Sequence, residues 1–107
     1  MSFAPKLQRK AAAKVLAYLR DTYRNRSAFL KAVDEFRLAM LNLAANPRQA
    51  IAPPGLFETR PIFRFVLRAD GLPREMQVCF RYDPDDPAER TIEITDFMPV
   101  DEGEPPV

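Results

Sequence analysis

The stretch that decides the fold is residues 61–82, PIFRFVLRADGLPREMQVCFRY, in which two segments with apolar residues at every second position flank a turn. This period of two, over Pro61 to Arg68 and Glu75 to Tyr82, is typical of β-strands that bury one face. The positions that repeat are Phe63, Phe65, Leu67, Met76, Val78 and Phe80. Asp70-Gly71 supplies turn residues between the segments, so the sequence predicts an antiparallel hairpin.

A third strand follows over Arg90 to Phe97, where Ile92 and Ile94 continue the same period. Asp83-Pro84-Asp85-Asp86-Pro87 connects it to the hairpin with turn-forming residues, so a three-stranded antiparallel sheet is predicted. The aspartates of this connection are interpreted as turn formers, the alternative being a metal site. No Gly-rich phosphate loop is present, and we expect no cofactor and no metal.

Before the sheet, apolar residues recur at spacings of three and four from Leu7 to Tyr23, which predicts an amphipathic helix that starts near Pro5. Gln8 is the one polar residue in its apolar arc. Ser27 is the predicted N-cap of a second helix from Ala28 to about Ala45, which Asn46-Pro47 ends. The two helices would form a hairpin.

The predicted fold is α+β: a two-helix hairpin packed on a three-stranded antiparallel sheet, to which a fourth strand could be added. Its 107 residues suit one domain over residues 1–100, followed by a disordered acidic tail over 101–107. Alternation and helical spacing place ten residues in one core: Phe29, Val33, Phe36, Met40, Phe63, Phe65, Val78, Phe80, Ile92 and Ile94.

Composition restricts the chemistry. The chain is 47% hydrophobic and 29% charged, which is ordinary for a globular domain, and it has no histidine. Serine–histidine and cysteine–histidine nucleophile pairs are therefore excluded, together with the commonest zinc ligand. The single Cys79 favours a reducing compartment, so we expect a cytoplasmic protein, and no apolar run long enough to cross a membrane occurs.

Charge is distributed unevenly along the chain. Residues 1–30 carry a formal net charge of +6 and residues 83–107 one of −8. On a helical wheel six residues fall opposite the apolar arc of the first helix and form a basic stripe: Lys6, Arg9, Lys10, Lys14, Arg20 and Arg24. Of these, Lys6, Arg9, Lys10 and Arg24 are the candidate nucleic-acid-binding residues. Such a stripe is a candidate for binding nucleic acid or an acidic protein segment, although a solvated helix face would have the same composition.

Leu30, Leu38 and Leu41 lie outside the predicted buried face of the second helix. They are candidates for binding a partner protein. The other interpretation is that the long connection over residues 46–60, which is rich in proline, covers them.

The order of elements resembles the RelE/ParE toxin superfamily of bacterial toxin–antitoxin modules. Four segments carry the resemblance: Phe3-Ala4-Pro5-Lys6, Leu43-Ala44-Ala45-Asn46-Pro47, Phe63-Arg64-Phe65-Val66-Leu67-Arg68 and Val78-Cys79-Phe80-Arg81-Tyr82. The resemblance implies a strand before the first helix, for which Met1-Ser2-Phe3 is available, so that this strand is expected to be short or missing.

The resemblance also implies a function. The chain would be a toxin that inhibits translation, through ribosome-dependent mRNA cleavage, or DNA gyrase, and a cognate antitoxin would neutralise it. The resemblance matches Arg64 to a basic position of the family, and strand alternation predicts Arg68 and Arg81 on the same open face, apart from the helix stripe. With Tyr82, the only nearby phenol, these are the candidate catalytic residues. The other interpretation is a solvated sheet face on which an arginine pairs with Glu93. A homodimer is a further option.

The alternative is a non-catalytic module that binds protein or nucleic acid and has kept the scaffold. Three features favour it: the absence of histidine, Gln77 at a position where the resemblance leads us to expect arginine, and the acidic C-terminus.

Overall fold

The computed structural model describes residues 4–46, 62–81 and 91–100 of the chain. Its elements, in order, are β1 (Ala4–Leu7), α1 (Arg9–Thr22), α2 (Arg26–Ala45), β2 (Ile62–Leu67), β3 (Arg74–Arg81) and β4 (Thr91–Pro99). The strands form one sheet in the order β1-β4-β3-β2. The pairs β2–β3 and β3–β4 are antiparallel, as predicted, and β1 is parallel to β4. The α+β architecture is thus confirmed, with a four-stranded mixed sheet.

The fourth strand changes the expected start of the chain. Ala4–Leu7 is a strand and not the first turn of a helix, and α1 begins only at Arg9. Proline suits the first turn of a helix, which is why the sequence predicts a helix there, but it suits an edge strand equally well, since such a strand needs fewer backbone donors. The Gln8 backbone N–H donates to the Ile94 carbonyl at 3.0 Å, which anchors the strand where the helix starts.

The second helix begins two residues earlier than predicted, and its N-cap is Asn25 rather than Ser27. The Asn25 side-chain oxygen accepts from the backbone N–H groups of Ser27 and Ala28 at 2.8 and 3.2 Å. Asparagine and serine cap equally well, and the chain uses the one that leaves the shorter connection between the helices. The predicted end near Ala45 is confirmed.

Both helices pack on one face of the sheet and share a single core with it. Phe36 on α2 links the layers, since its ring centroid lies 5.7 Å from that of Phe65 and 6.0 Å from that of Phe97. Of the ten predicted core residues, seven are buried, and Phe29 and Phe65 are partly buried against the cluster. The prediction for Val33 is wrong: it is 38% exposed, because the buried arc of α2 is centred on Ala32, Phe36 and Leu43.

A β-bulge interrupts the pairing of β3 with β4. Cys79 pairs with Asp96 and Phe80 with Ile94, so Thr95 is the extra residue on β4. Its hydroxyl donates to the Cys79 carbonyl at 3.3 Å. Strict alternation would have turned Asp96 inward; the bulge instead turns Phe97 into the core and leaves Asp96 at its margin.

The predicted turn between β2 and β3 is confirmed. The Gly71 N–H donates to the Arg68 carbonyl at 2.9 Å, and Gly71 has a φ of 85°, a left-handed conformation that favours glycine. The predicted turn over residues 83–87, the acidic tail over 101–107 and nearly all of the 46–60 connection lie outside the described residues.

Candidate nucleic-acid interface

The open face of the sheet brings together two sets of basic residues that the sequence kept apart. The helical pattern predicts Lys6 on the outer side of the first helix, and this prediction is wrong, because Lys6 lies on β1 in register with Glu93 on β4. Glu93 is in turn in register with Arg81 on β3. Partners in register share a face of the sheet, so Lys6, Glu93 and Arg81 form a row across three strands.

Glu93 is held firmly at the centre of this row. Arg81 Nε and Nη2 both lie 2.7 Å from Glu93 Oε2, and Gln8 Nε2 donates to Glu93 Oε1 at 2.7 Å. The hydrogen bonds from Arg81 and then from Gln8 lower the pKa of Glu93, and the charges of Arg81 and Lys6 act in the same direction. Glu93 is therefore an anion at neutral pH, and it fixes the orientation of the Arg81 guanidinium.

Two further cations lie where β1 ends. Arg9 and Lys10 are the first residues of α1, directly after Gln8, and both are exposed. Together with Lys6 and Arg81 they form what we call the basic cluster. The first turn of α1 contains no acidic residue, although carboxylates are favoured there. Positive charge at this end of the helix costs stability, and an anionic ligand would relieve that cost.

Arg24 does not belong to the basic cluster. It follows the C-terminal end of α1, and the 14 residues of that helix separate it from Arg9 by about 21 Å at 1.5 Å per residue. Lys14, between the two ends of the helix, is bound to Asp96 at 2.7 Å. The predicted basic stripe is thus divided into two exposed ends with a neutralised middle.

The predicted catalytic arginines do not lie together on one face. Arg64 and Arg81 lie on the open face of the sheet, whereas Arg68 follows β2 and lines a groove beside α2. Arg64 is in register with Gln77, four residues before Arg81, so about 13 Å of strand separates the two positions. Arg68 follows the end of β2, whose last residue Leu67 is in register with Arg74, seven residues before Arg81. Arg64 lies 3.9 Å from Glu75, and the Arg68 backbone N–H donates to Glu35 at 2.9 Å. Tyr82 lies outside the described residues, and the catalytic role of all four stays a prediction.

A second polar cluster, which sequence patterns hardly indicate, lies on the helix side of the sheet. Arg74 forms an ion pair with Asp70 at 3.0 Å, and its guanidinium carbon lies 5.9 Å from the centroid of the Tyr23 ring. Burial, and then the charge of Asp70, raises the pKa of Tyr23 to about 12. The only available signal was the pair of opposite charges at a spacing of four around Asp70-Gly71.

The candidate partner-binding leucines are where the sequence placed them, on the outer face of α2. Leu30, Leu38 and Leu41 are all exposed among the described residues.

Neither described helix has the length and apolar character needed to cross a membrane. Within the described ranges, no three His, Cys, Asp or Glu side chains come together as a group that could hold a metal ion.

The chemistry of the basic cluster is that of an anion-binding surface. Lys6, Arg9, Lys10 and Arg81 offer charge and hydrogen-bond donors to phosphate groups.

Comparisons with known proteins add no identification, since no family model, curated protein or solved structure matches the chain.

Proposed function

We propose that this chain is a cytoplasmic RelE/ParE-like protein that binds nucleic acid through the basic cluster without cleaving it. The observation that carries the proposal is the row of Lys6, Glu93 and Arg81 across β1, β4 and β3, continued by Arg9 and Lys10. Lys6, Arg9 and Lys10 are exposed, and none of them forms an ion pair with a described carboxylate.

Two features support phosphate as the bound group. Arg81 already presents its guanidinium to a carboxylate, in an orientation that Gln8 helps to fix through Glu93. Phosphate oxygens have a similar geometry and bind arginine in the same manner. The lysines contribute charge without a fixed geometry, which suits a phosphate backbone rather than one small ligand.

The resemblance stated above gives this binding a biological setting. It leads us to expect a short or missing strand before the first helix, with Met1-Ser2-Phe3 available for it, and the four-residue β1 lies directly after that segment. By binding RNA or DNA without cleaving it, the protein would inhibit translation or DNA gyrase. A cognate antitoxin would then act by covering the basic cluster.

The proposal is tested by fluorescence anisotropy with labelled single-stranded RNA and duplex DNA over a range of salt concentrations. The triple variant Lys6→Ala/Arg9→Ala/Lys10→Ala should weaken binding more than about tenfold at low salt and reduce the slope of log K against log salt by about 2. The labelled RNA should stay intact during incubation with the unmutated protein.

The matched control removes the same charge elsewhere. Arg20→Ala/Arg24→Ala/Arg26→Ala changes three exposed residues near the other end of α1 and should weaken binding much less. Equal losses in the two triple variants would contradict the proposal, because they would show a response to net charge alone.

The second candidate is the mRNA-cleaving toxin that the resemblance implies. Arg64 favours it, since its side chain is 61% exposed on the open face and its carboxylate neighbour Glu75 is 3.9 Å away. Cleavage of ribosome-bound mRNA and growth arrest on expression, both lost in Arg64→Glu, would establish this activity in place of simple binding.

A further inference from the structure

The outer face of α2 carries a pattern that matches itself in reverse. Leu30, Asp34, Arg37 and Leu41 follow one another at spacings of four, three and four, so they lie along one line of the helix. Read from either end, the line is apolar, charged, charged, apolar, and the two charges are opposite. The midpoint of the pattern falls between Glu35 and Phe36, close to the middle of Arg26–Ala45.

All four residues are exposed. Leu30 is 54% and Leu41 43% exposed, and Asp34 and Arg37 pair with each other at 2.9 Å while their side chains stay 59% and 62% exposed. Val33 and Leu38, at 38% and 52%, lie on either side of the line. The apolar band therefore covers three turns of the helix, on the side away from the core residues Ala32, Phe36 and Leu43.

We propose that this face of α2 is a self-association surface, on which a second copy of the chain packs its own α2 in the antiparallel direction. A two-fold axis through the midpoint places Leu30 level with Leu41 of the other copy and Asp34 level with its Arg37. Each copy then gains two leucine pairs and two interchain ion pairs. A spacing of three and four residues is also the one that lets two helices interlock along their length.

Charge complementarity selects the antiparallel direction and a second copy. In a parallel pair, Asp34 would lie level with Asp34 and Arg37 level with Arg37, and both contacts would be repulsive. An unrelated amphipathic partner would require only the apolar residues. The order of the two charges matters when the partner is a second copy, because each Asp34 then lies level with an Arg37.

The dimer is expected to be reversible. A seam from Leu30 to Leu41 is about 16 Å long at 1.5 Å per residue, which is shorter than the contact in a permanent dimer. It is independent of the proposed nucleic-acid binding, because the basic cluster lies on the sheet and at the start of α1, and α2 contributes no residue to it.

The test is analytical ultracentrifugation of the full chain over a range from low to high micromolar concentration. The unmutated protein should shift from monomer to dimer as concentration rises. Leu38→Asp should abolish the shift, whereas Leu16→Asp should leave it unchanged, since Leu16 is similarly exposed, at 45%, on α1. Circular dichroism should show both variants folded, with melting temperatures close to that of the unmutated monomer.

Charge exchange makes the test specific. Asp34→Arg alone and Arg37→Asp alone should each be at least tenfold weaker in self-association, because each places like charges opposite one another. An equimolar mixture of the two variants should regain the dimer, and so should the double variant Asp34→Arg/Arg37→Asp.

Three results would overturn the proposal. The first is an unmutated chain that stays monomeric at every concentration. The second is a dimer indifferent to Leu38→Asp and to the single charge changes. The third is a monomeric Leu38→Asp with a clearly lower melting temperature, which would show that the face is covered within one chain, with residues 47–61 as its occupant.

Discussion

Two arginines at the two ends of β3 serve opposite purposes. Arg74 begins the strand and lies on the helix side of the sheet, where it pairs with Asp70 and its guanidinium faces the ring of Tyr23. Arg81 ends the strand on the open side and pairs with Glu93. The side chain of Arg74 is 34% exposed and that of Arg81 is 68% exposed.

The difference in exposure determines what each ion pair can do. The hydrogen bond from Arg74 lowers the pKa of Asp70, and the same bond raises the pKa of Arg74, so the pair is bound on the inner side of a turn. Around Arg81 the same chemistry operates in contact with water, where an exposed pair contributes little to stability. The pair of Arg74 with Asp70 holds the turn between β2 and β3, whereas the pair of Arg81 with Glu93 orients a guanidinium at the surface.

The largest effect on stability is expected when Arg74, on the helix side of the sheet, is removed. Arg74→Ala should lower the urea midpoint measurably, because it removes both the ion pair with Asp70 and the contact with the Tyr23 ring. Urea unfolding followed by circular dichroism measures the change. Arg81→Ala is the matched control on the same strand and should leave the unfolding midpoint nearly unchanged. Equal losses of stability in the two variants would mean that the two ion pairs contribute alike.

Binding should show the reverse order. Arg81→Ala is expected to weaken RNA binding about fivefold at low salt and to reduce the salt slope by about 1, whereas Arg74→Ala should bind as well as the unmutated protein wherever it is folded. Anisotropy under the conditions proposed above gives both quantities.

Glu93→Gln tests the exposed pair from its acidic side, because it removes a carboxylate that competes with phosphate for Arg81. Binding should become about two- to fivefold tighter, which is the size expected for loss of one exposed competing charge. Glu75→Gln, beside Arg64, is the control and should change affinity less. Weaker binding by Glu93→Gln would instead mean that Glu93 is needed to orient Arg81 for its ligand.

Much of the fold follows from local patterns. Period-two alternation located β2, β3 and the first part of β4, and the spacing of three and four located both helices, because burial of one face is what these patterns record. The errors arose where two local structures share a signal. Pro5 suits an edge strand and a helical first turn, and both Asn25 and Ser27 can cap a helix.

The candidate site was less predictable because it depends on register. The pairing of β1 with β4 brings Lys6 level with Glu93, and no feature of residues 4–7 specifies a partner more than 80 positions away. Gln8 was the one available sign, as a polar residue within an apolar arc, and its amide does bond Glu93. The bulge at Thr95 was equally hidden, since alternation alone turns Asp96 inward.

The smallest expected effect concerns the hydroxyl group of Tyr23, whose ring contacts Arg74. Tyr23 is 2% exposed, and its hydroxyl has no hydrogen-bond partner among the described residues. Tyr23→Phe should therefore be neutral or stabilising at neutral pH, by less than about 1 kcal/mol.

At alkaline pH the two proteins should diverge. Burial, and then the charge of Asp70, raises the pKa of Tyr23 from 10.0 to about 12, so between these values the unfolded chain loses the phenol proton while the folded chain keeps it. The contribution of this group is fully present below pH 10 and declines as the pH rises towards 12. Tyr23→Phe lacks that decline, and the difference between the unfolding free energies of the variant and the unmutated protein should grow with pH. Urea titrations of both proteins across this range measure the difference, and a constant difference would mean that Tyr23 titrates at its ordinary pKa and that its hydroxyl reaches water.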